Sequence, residues 1–378
     1  MESFNIDIVN KNISIRERIS KGAFACVPVI IIGALLLSSA YITDIIFTGK
    51  IELSIGETVP VAKILYGTGT VINRLISPLV SGAVALFIGG VPALAGGLIG
   101  GMLTGMGVTY YFSSGNTSAV TGIYGSILVG LIAGYSTRLF SNLSKLALKK
   151  PSDIPSYILP GFAVLASCST VFIIDALAQI INSLSAILLA AVGDFSKPLL
   201  CILLGVMITA DIGGPLYLSA LVYSVASIAT NESVIMASIT AAGCVPVLSI
   251  FFATIVFKNK FTKKERSYSR LSIPCALCGI NQVAIPFYAT YLHRIILPSV
   301  AGGCVSSLLC LLFDCKALFP QGGFLSITGS GSFLLFTLSV LCGVLICTAL
   351  IGLLLEDKEN TSEEAVKSYS ATALPYGL

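Results

Sequence analysis

Three short segments hold the side chains of this sequence that could do chemistry. The first is Met207-Ile-Thr-Ala-Asp-Ile-Gly-Gly-Pro215, in which Asp211 is a lone carboxylate in apolar surroundings. Gly213, Gly214 and Pro215 would interrupt a helix there and bare backbone N–H and C=O groups beside the carboxylate. Two readings stay open: Asp211 contacts a substrate or coupling ion, or it caps the half-helix that follows by accepting from its free amides. The second segment, Gly279-Ile-Asn-Gln-Val-Ala-Ile-Pro-Phe287, puts two side-chain amides, Asn281 and Gln282, just ahead of a proline. Each amide can donate and accept, which suits the hydroxyls of a sugar, and the plainer reading is that they satisfy broken backbone. The third, Phe319-Pro-Gln-Gly-Gly-Phe324, sets Gln321 on a Gly/Pro turn with the same two readings. No catalytic residue, metal ligand or cofactor site is read from the sequence.

Composition decides what must position these segments. Hydrophobic residues make up 55% of the chain and charged residues only 11%, against about a quarter charged in a soluble domain. No water-soluble core needs that much apolar surface. From Leu75 to Thr137 no residue is charged, room for about three crossings at ~20 residues each. A second uncharged run, Ala317 to Leu355, fits one full helix plus a segment that enters and leaves. The expected fold is therefore an all-α polytopic membrane protein with the lipid bilayer as its solvent. Irregular backbone at membrane depth is tolerated only where it is buried in protein or lines a cavity, so the three segments should meet at one.

Two internal stretches are basic: Arg138, Lys145, Lys149 and Lys150, then Lys258, Lys260, Lys263, Lys264, Arg266 and Arg270. They sit between apolar runs and report topology, not a nucleic-acid partner, and the positive-inside rule puts both in the cytoplasm. Between the N-terminus and the first stretch the pattern predicts spans near 22–42, 64–88, 92–112 and 119–137. Between the two stretches it predicts four more, near 155–175, 178–193, 199–229 and 233–257, the third long and broken. Two ordinary helices follow near 294–313 and 333–355, alternating with Gly279 to Pro286 and Pro320 to Gly331, which are expected to be re-entrant. This makes about ten transmembrane helices plus two or more re-entrant hairpins. Both termini are expected in the cytoplasm, with residues 1–20 and the polar tail 356–378 outside the membrane and no cleaved targeting peptide.

Other features have plainer explanations. Gly96, Gly97, Gly100, Gly101 and Gly105 are spaced for close helix approach, and the Gly-Lys-Ser/Thr ending of a phosphate loop is absent. The eleven cysteines lie mostly in apolar segments, where a free thiol behaves as a small hydrophobe. Cys275 and Cys278 form a C-x-x-C with no second pair to complete a zinc site. His293, the only histidine, stands beside Arg294 at an expected helix end.

These residues resemble the fructose-type enzyme IIC permeases of the sugar phosphotransferase system, over about Lys21 to Leu355. Met207 to Pro215 is similar to that family's Met-Met-Ala-Phe-Asp-Met-Gly-Gly-Pro, and Gly279 to Phe287 to its Gly-Ile-Thr-Glu-Gly-Ala-Ile-Pro-Phe. Arg294 falls where the family has an arginine, and Phe319 to Phe324 resembles its Pro-His-Gly-Gly turn. Gln282 stands where the family has glutamate, Gln321 where it has histidine, and Tyr217-Leu218 where Asn-Lys usually follows Gly-Gly-Pro. Two ionisable groups have become neutral amides, which still bond hydroxyls but accept no proton and carry no charge.

The resemblance implies a glucose-superfamily-like enzyme IIC fold in a bacterial cytoplasmic membrane and a homodimer. Residues 21–150 would form a scaffold and dimerisation half, and 151–355 a half that binds and carries the sugar. Asp211, Gly213, Gly214, Asn281, Gln282, Phe287 and Gln321 are the substrate-binding residues it implies, with Phe287 and Tyr288 as aromatic walls. Partner IIA and IIB units would carry the phosphoryl group, which no residue of this chain is expected to hold. IIB would meet the cytoplasmic surface around Lys258 to Arg270. An ion-coupled secondary sugar transporter using Asp211, or a non-transporting sugar sensor, are the rival readings.

Overall fold

The structure, a computed structural model, describes residues 15–48, 59–106, 121–147, 158–277, 279–317, 323–327 and 332–357. Among them every regular element is helical. The first half comprises α1 (Ile15–Ala25), α2 (Val27–Thr48), α3 (Pro60–Arg74), α4 (Ile76–Gly89), α5 (Val91–Met106) and α6 (Gly122–Ala147). The second comprises α7 (Ile158–Phe195), α8 (Lys197–Ala210), α9 (Pro215–Ala229), α10 (Ser233–Val256), α11 (Lys263–Ser269), α12 (Ser272–Leu277), α13 (Ile285–Tyr291), α14 (His293–Leu312) and α15 (Phe333–Leu354). Prolines open α3, α8, α9 and α13 within the first turn, where their missing N–H leaves no hydrogen bond unmade. Seven of the described segments are long and apolar enough to cross a membrane, and Val91–Gly105, Lys197–Ala210 and Pro215–Ile228 are shorter apolar helices.

The glycine stripe on α5 packs two ways. A side chain at Gly97 or Gly101 would meet the backbone of α4 at Ser81 or Ser77, and one at Gly96 would meet the backbone of α7 at Ala163. Small residues four apart thus let α5 lie against both neighbours at backbone distance. Helix α1 joins the halves: Gly22 lies against Val84 of α4, while the Ser20 hydroxyl bonds that of Thr290 in α13 at 2.9 Å.

Contacts at its two ends fix the path of the second half. At one end Lys197, which opens α8, pairs with Glu232 ahead of α10 at 2.6 Å. The Glu232 N–H donates to the Ser227 carbonyl near the end of α9 at 2.8 Å, and the Ala317 N–H, past α14, donates to the Ser233 carbonyl at 3.3 Å. At the opposite end Lys260 Nζ donates to the Gly352 carbonyl at 2.7 Å and to that of Leu355, closing the last turn of α15 with a cation. Arg294, near the start of α14, pairs there with Glu356 at 2.8 Å.

Helix α8 therefore starts, and α9 ends, at one and the same end. Their 14 and 15 residues span about 21–22 Å at 1.5 Å per residue, short of a ~30 Å hydrocarbon core. The expected span 199–229 is a hairpin that enters and returns on one side, with its tip at Asp211 to Gly214. The expected spans 155–175 and 178–193 are the single 38-residue helix α7. Neither glycine nor proline stands between them, and Gln179 Nε2 donates to Asp175 Oδ2 one turn away at 3.1 Å. Where four crossings were expected between the basic stretches, two helices are long and apolar enough to cross, α7 and α10.

Two further segments turn back on themselves. The Tyr291 hydroxyl at the end of α13 donates to Glu265 Oε1 of α11 at 3.0 Å, so the chain from α12 to α13 goes in and returns at the end where α15 closes. From the other end the chain leaves at Ala317 and is back at Ser332, whose hydroxyl accepts the Lys316 N–H at 3.2 Å. Between them the short 3-10 turn Gly323–Ile327 packs on α10 and α12.

Candidate functional site

The tip of the first hairpin is built from hydrogen bonds that a regular helix would not need. Helix α8 stops at Asp211, Gly213 takes the left-handed conformation with φ of 74°, and Gly214 precedes α9. Asp211 Oδ2 accepts the Leu216 N–H at 3.0 Å, so the carboxylate, buried at 8% exposure, serves one of the free amides of α9. A side chain on Gly214 would run into that carboxylate. The last carbonyls of α8 find partners on other elements. Thr209 accepts from the Tyr288 hydroxyl of α13 at 2.8 Å, and Ala210 from the Tyr124 hydroxyl of α6 at 3.3 Å. From the scaffold side Gly122, at φ of 65°, fits flush against the Gly213 carbonyl and the Gly214 α-carbon.

The second segment arrives from the opposite end. Gly279 turns at φ of 71°, its N–H on the Ala276 carbonyl at 3.1 Å, and ends α12. Asn281 is buried, and Oδ1 has no hydrogen-bond partner among the described residues; Gln282 Oε1 is likewise buried and unpartnered. Gly323 of the third segment touches the second directly: at φ of 54°, it leaves no room for a side chain beside the Ala276 carbonyl and Gly279 N. Gln321 lies outside the described residues.

All three segments border one small cavity of about 30 Å³. The first hairpin contributes Ile208, Tyr217 and Leu221, and α10 contributes Met236, Ile239, Thr240 and Gly243. Gly279, Asn281 and Gly323 close it. The Asn281 amide faces the Tyr217 hydroxyl. Its polar lining is a phenol, an alcohol, an amide and peptide groups, with no acid or base among them. Such a lining suits a neutral hydroxyl-bearing ligand better than an ion. The volume holds a water or two, several times less than a hexose ring needs.

Phe287 does not border this cavity: its ring packs edge-on against Phe24 of α1 at 5.5 Å and against Phe261 at 6.5 Å. Tyr288 is turned to the end of α8. Sequence reasoning missed Tyr217, Thr240 and Gly243. Tyr217 had a signal in its place directly after Gly-Gly-Pro, whereas Thr240 and Gly243 lie in an unbroken apolar helix where nothing marks them. His293 is exposed at the first turn of α14, away from the cavity.

A family profile described as "Phosphotransferase system, EIIC" matches residues 20–303. The chain is 29% identical to the "Fructose permease IIC component" of Bacillus amyloliquefaciens over 296 residues, 76% of this chain and 91% of that one. It is 25% identical to the "PTS system fructose-specific EIIC component" of Haloferax volcanii over 356 residues, 90% of this chain and 92% of that one. Against the "PTS system fructose-specific EIIABC component" of Bacillus subtilis it is 28% identical over 286 residues, 74% of this chain but only 42% of the longer relative. A solved structure of the transporter ChbC, the IIC component of an N,N'-diacetylchitobiose-specific phosphotransferase system, covers 96% of this chain and 99% of its own at 12% identity and a TM-score of 0.37, a likeness too loose to carry an argument.

Proposed function

The chain belongs to the phosphotransferase system EIIC family, and from that premise we propose that it is the sugar permease of a phosphoenolpyruvate-dependent phosphotransferase system, carrying a fructose-type sugar. A partner IIB unit, charged in turn by IIA, phosphorylates the sugar at the cytoplasmic face. The product is trapped there because a charged sugar does not recross the bilayer. The observation that carries this reading is the uncharged cavity where the three segments meet, with the orphaned carbonyl oxygen of Asn281 at its edge. A sugar hydroxyl supplies the donor that this oxygen lacks. Asp211 is engaged in capping α9 and does not border the cavity, which favours group translocation over ion coupling.

In this reading Asp211, Gly213 and Gly214 shape the hairpin tip and Asn281 bonds the sugar, joined by Gln282, whose buried Oε1 has no partner among the described residues, and by Gln321. Phe287 supports the second hairpin from behind. Residues 21–150 form the scaffold of a homodimer and 151–355 the half that carries the sugar. The protein sits in a bacterial cytoplasmic membrane with both termini inside, a reading supported by Glu356, which pairs with Arg294 at the end carrying the basic stretch 258–270, and by Ser20, which bonds Thr290 of the hairpin that returns to that end.

The test is uptake of labelled fructose into membrane vesicles from a strain lacking its own permeases. Sugar phosphate should accumulate inside only when phosphorylated IIB is supplied. Free sugar accumulating on a proton or sodium gradient without IIB refutes the proposal.

A further inference from the structure

A second, much larger cavity of about 800 Å³ opens between α10, α11 and α12, at the end of the molecule where α15 closes. Four cations line it: Lys258, Lys263, Arg266 and Arg270. The basic stretch is divided by side-chain direction, because Lys260 caps α15 and Lys264 lies over the Tyr268 ring at 5.9 Å. Among the described residues no acid is within ion-pair distance of the four. Glu265, the one acid on α11, is buried and accepts from the Thr262 N–H at 2.7 Å and the Tyr291 hydroxyl at 3.0 Å.

Apolar side chains share the lining with these cations. Ile255 and Ile273 border it at 47% and 41% exposure, and Lys258 comes two residues after Val256, the last of the apolar helix α10. A hydrogen bond of 2.6 Å between Thr254 and Ser269 ties α10 to α11. The cavity therefore combines exposed apolar side chains with cations that no acid pairs among the described residues, just past the end of an apolar helix, where membrane helices meet the headgroups.

We infer that this cavity binds an anionic glycerophospholipid, its phosphate among Lys258, Lys263, Arg266 and Arg270 and its upper acyl chains along Ile255 and Ile273. Charge complementarity fixes the sign of the ligand, and the exposed Ile255 and Ile273 in the same lining select a lipid over a free anion. A docked protein would bring acids to the cations but would leave the isoleucines facing lipid.

The experiment is native mass spectrometry of the full chain in mild detergent, titrated with phosphatidylglycerol or with phosphatidylcholine. The wild type should prefer phosphatidylglycerol. Each cation near an anionic headgroup contributes about fivefold in affinity, so Arg266→Gln with Arg270→Gln should weaken binding about 30-fold. Lys264→Gln, which removes one cation of the same stretch outside the cavity, should change nothing. If the arginine pair fails to fold, Lys258→Gln with Lys263→Gln reads the same loss. Equal binding of the two lipids, equal loss in Lys264→Gln, or displacement of phosphatidylglycerol by inorganic phosphate would each overturn the inference. So would phosphorylated IIB binding that depends on the four cations while no lipid preference exists.

Discussion

Replacing Asn281 with leucine should weaken sugar binding while leaving the sugar-free protein about as stable as before or more so. Asn281 is 3% exposed and its Oδ1 meets no donor among the described residues, while its amide faces Tyr217. A buried acceptor left unpaired costs about 1–3 kcal/mol, and a made hydrogen bond contributes about 0.5–1.5 kcal/mol net. Leucine keeps the branching at Cγ and carries no polar atom. Asn281→Leu therefore removes the orphan and forfeits the Tyr217 contact, leaving the sugar-free protein between roughly 0.5 kcal/mol less and 2.5 kcal/mol more stable. With sugar bound the oxygen is no orphan, and its loss strands a hydroxyl, weakening affinity about 5- to 150-fold. Thermal unfolding of the detergent-purified protein reads the first quantity, and equilibrium binding of labelled fructose reads the second. A clearly destabilised protein that binds sugar as before would mean that the amide holds up the hairpin and touches no ligand.

Gln282→Ala should weaken sugar binding about 5- to 150-fold with the unfolding midpoint little changed, and unaltered affinity would remove this residue from the site. Gly122→Ala forces a side chain into a left-handed position pressed against Gly213; it should lower stability by about 1–3 kcal/mol from backbone strain alone, so an unchanged thermal midpoint would contradict the contact. Cysteines placed at Lys197 and at Glu232 should both react with a membrane-impermeant thiol reagent in intact cells while one at Lys264 does not; protection of Lys197 alone would restore 199–229 as a crossing. Asp211→Asn keeps a capping oxygen, and uptake by the variant should still depend on phosphorylated IIB and ignore collapse of the proton gradient; loss of gradient-driven uptake that the wild type performs without IIB would reverse the assignment.

The membrane class was legible because 11% charge and long uncharged runs leave no other solvent for the chain. The three chemistry-bearing segments were legible because glycine and proline at membrane depth are costly unless a cavity accepts the broken backbone. What composition could not settle was whether a break is a kink in a crossing or the tip of a hairpin. Apolar length is the same in both cases, and only the contact of Lys197 with Glu232, 35 positions apart, decides it. The division of α7 into two spans failed for a related reason: Asp175 looks like a boundary in sequence but is bonded within the helix to Gln179. Phe287 entered the set through the family resemblance of the segment it ends, yet which way an aromatic ring points at a turn depends on neighbours, here Phe24 of α1 and Phe261 after α10. Gln321 lies outside the described residues.

The meeting of hairpins from opposite ends bears on how a cavity of about 30 Å³ could pass a sugar. Access from the end carrying the basic stretch requires the α12–α13 hairpin to withdraw. That parts Tyr288 from Thr209 and separates Gly279 from Gly323. Access from the other end moves the first hairpin and the Gly323 turn instead, and it breaks the same two contacts, because Thr209 and Gly323 go with them. The two routes differ in what else they disturb. The second also works against the Tyr124 bond to Ala210 and the exposed pair of Lys197 with Glu232, which contributes about 0–1 kcal/mol. The first disturbs the ring cluster of Phe24, Phe261 and Phe287. Either opening thus gives up the buried bond between Tyr288 and Thr209, a cost that contacts to the bound sugar must offset whichever face it enters from.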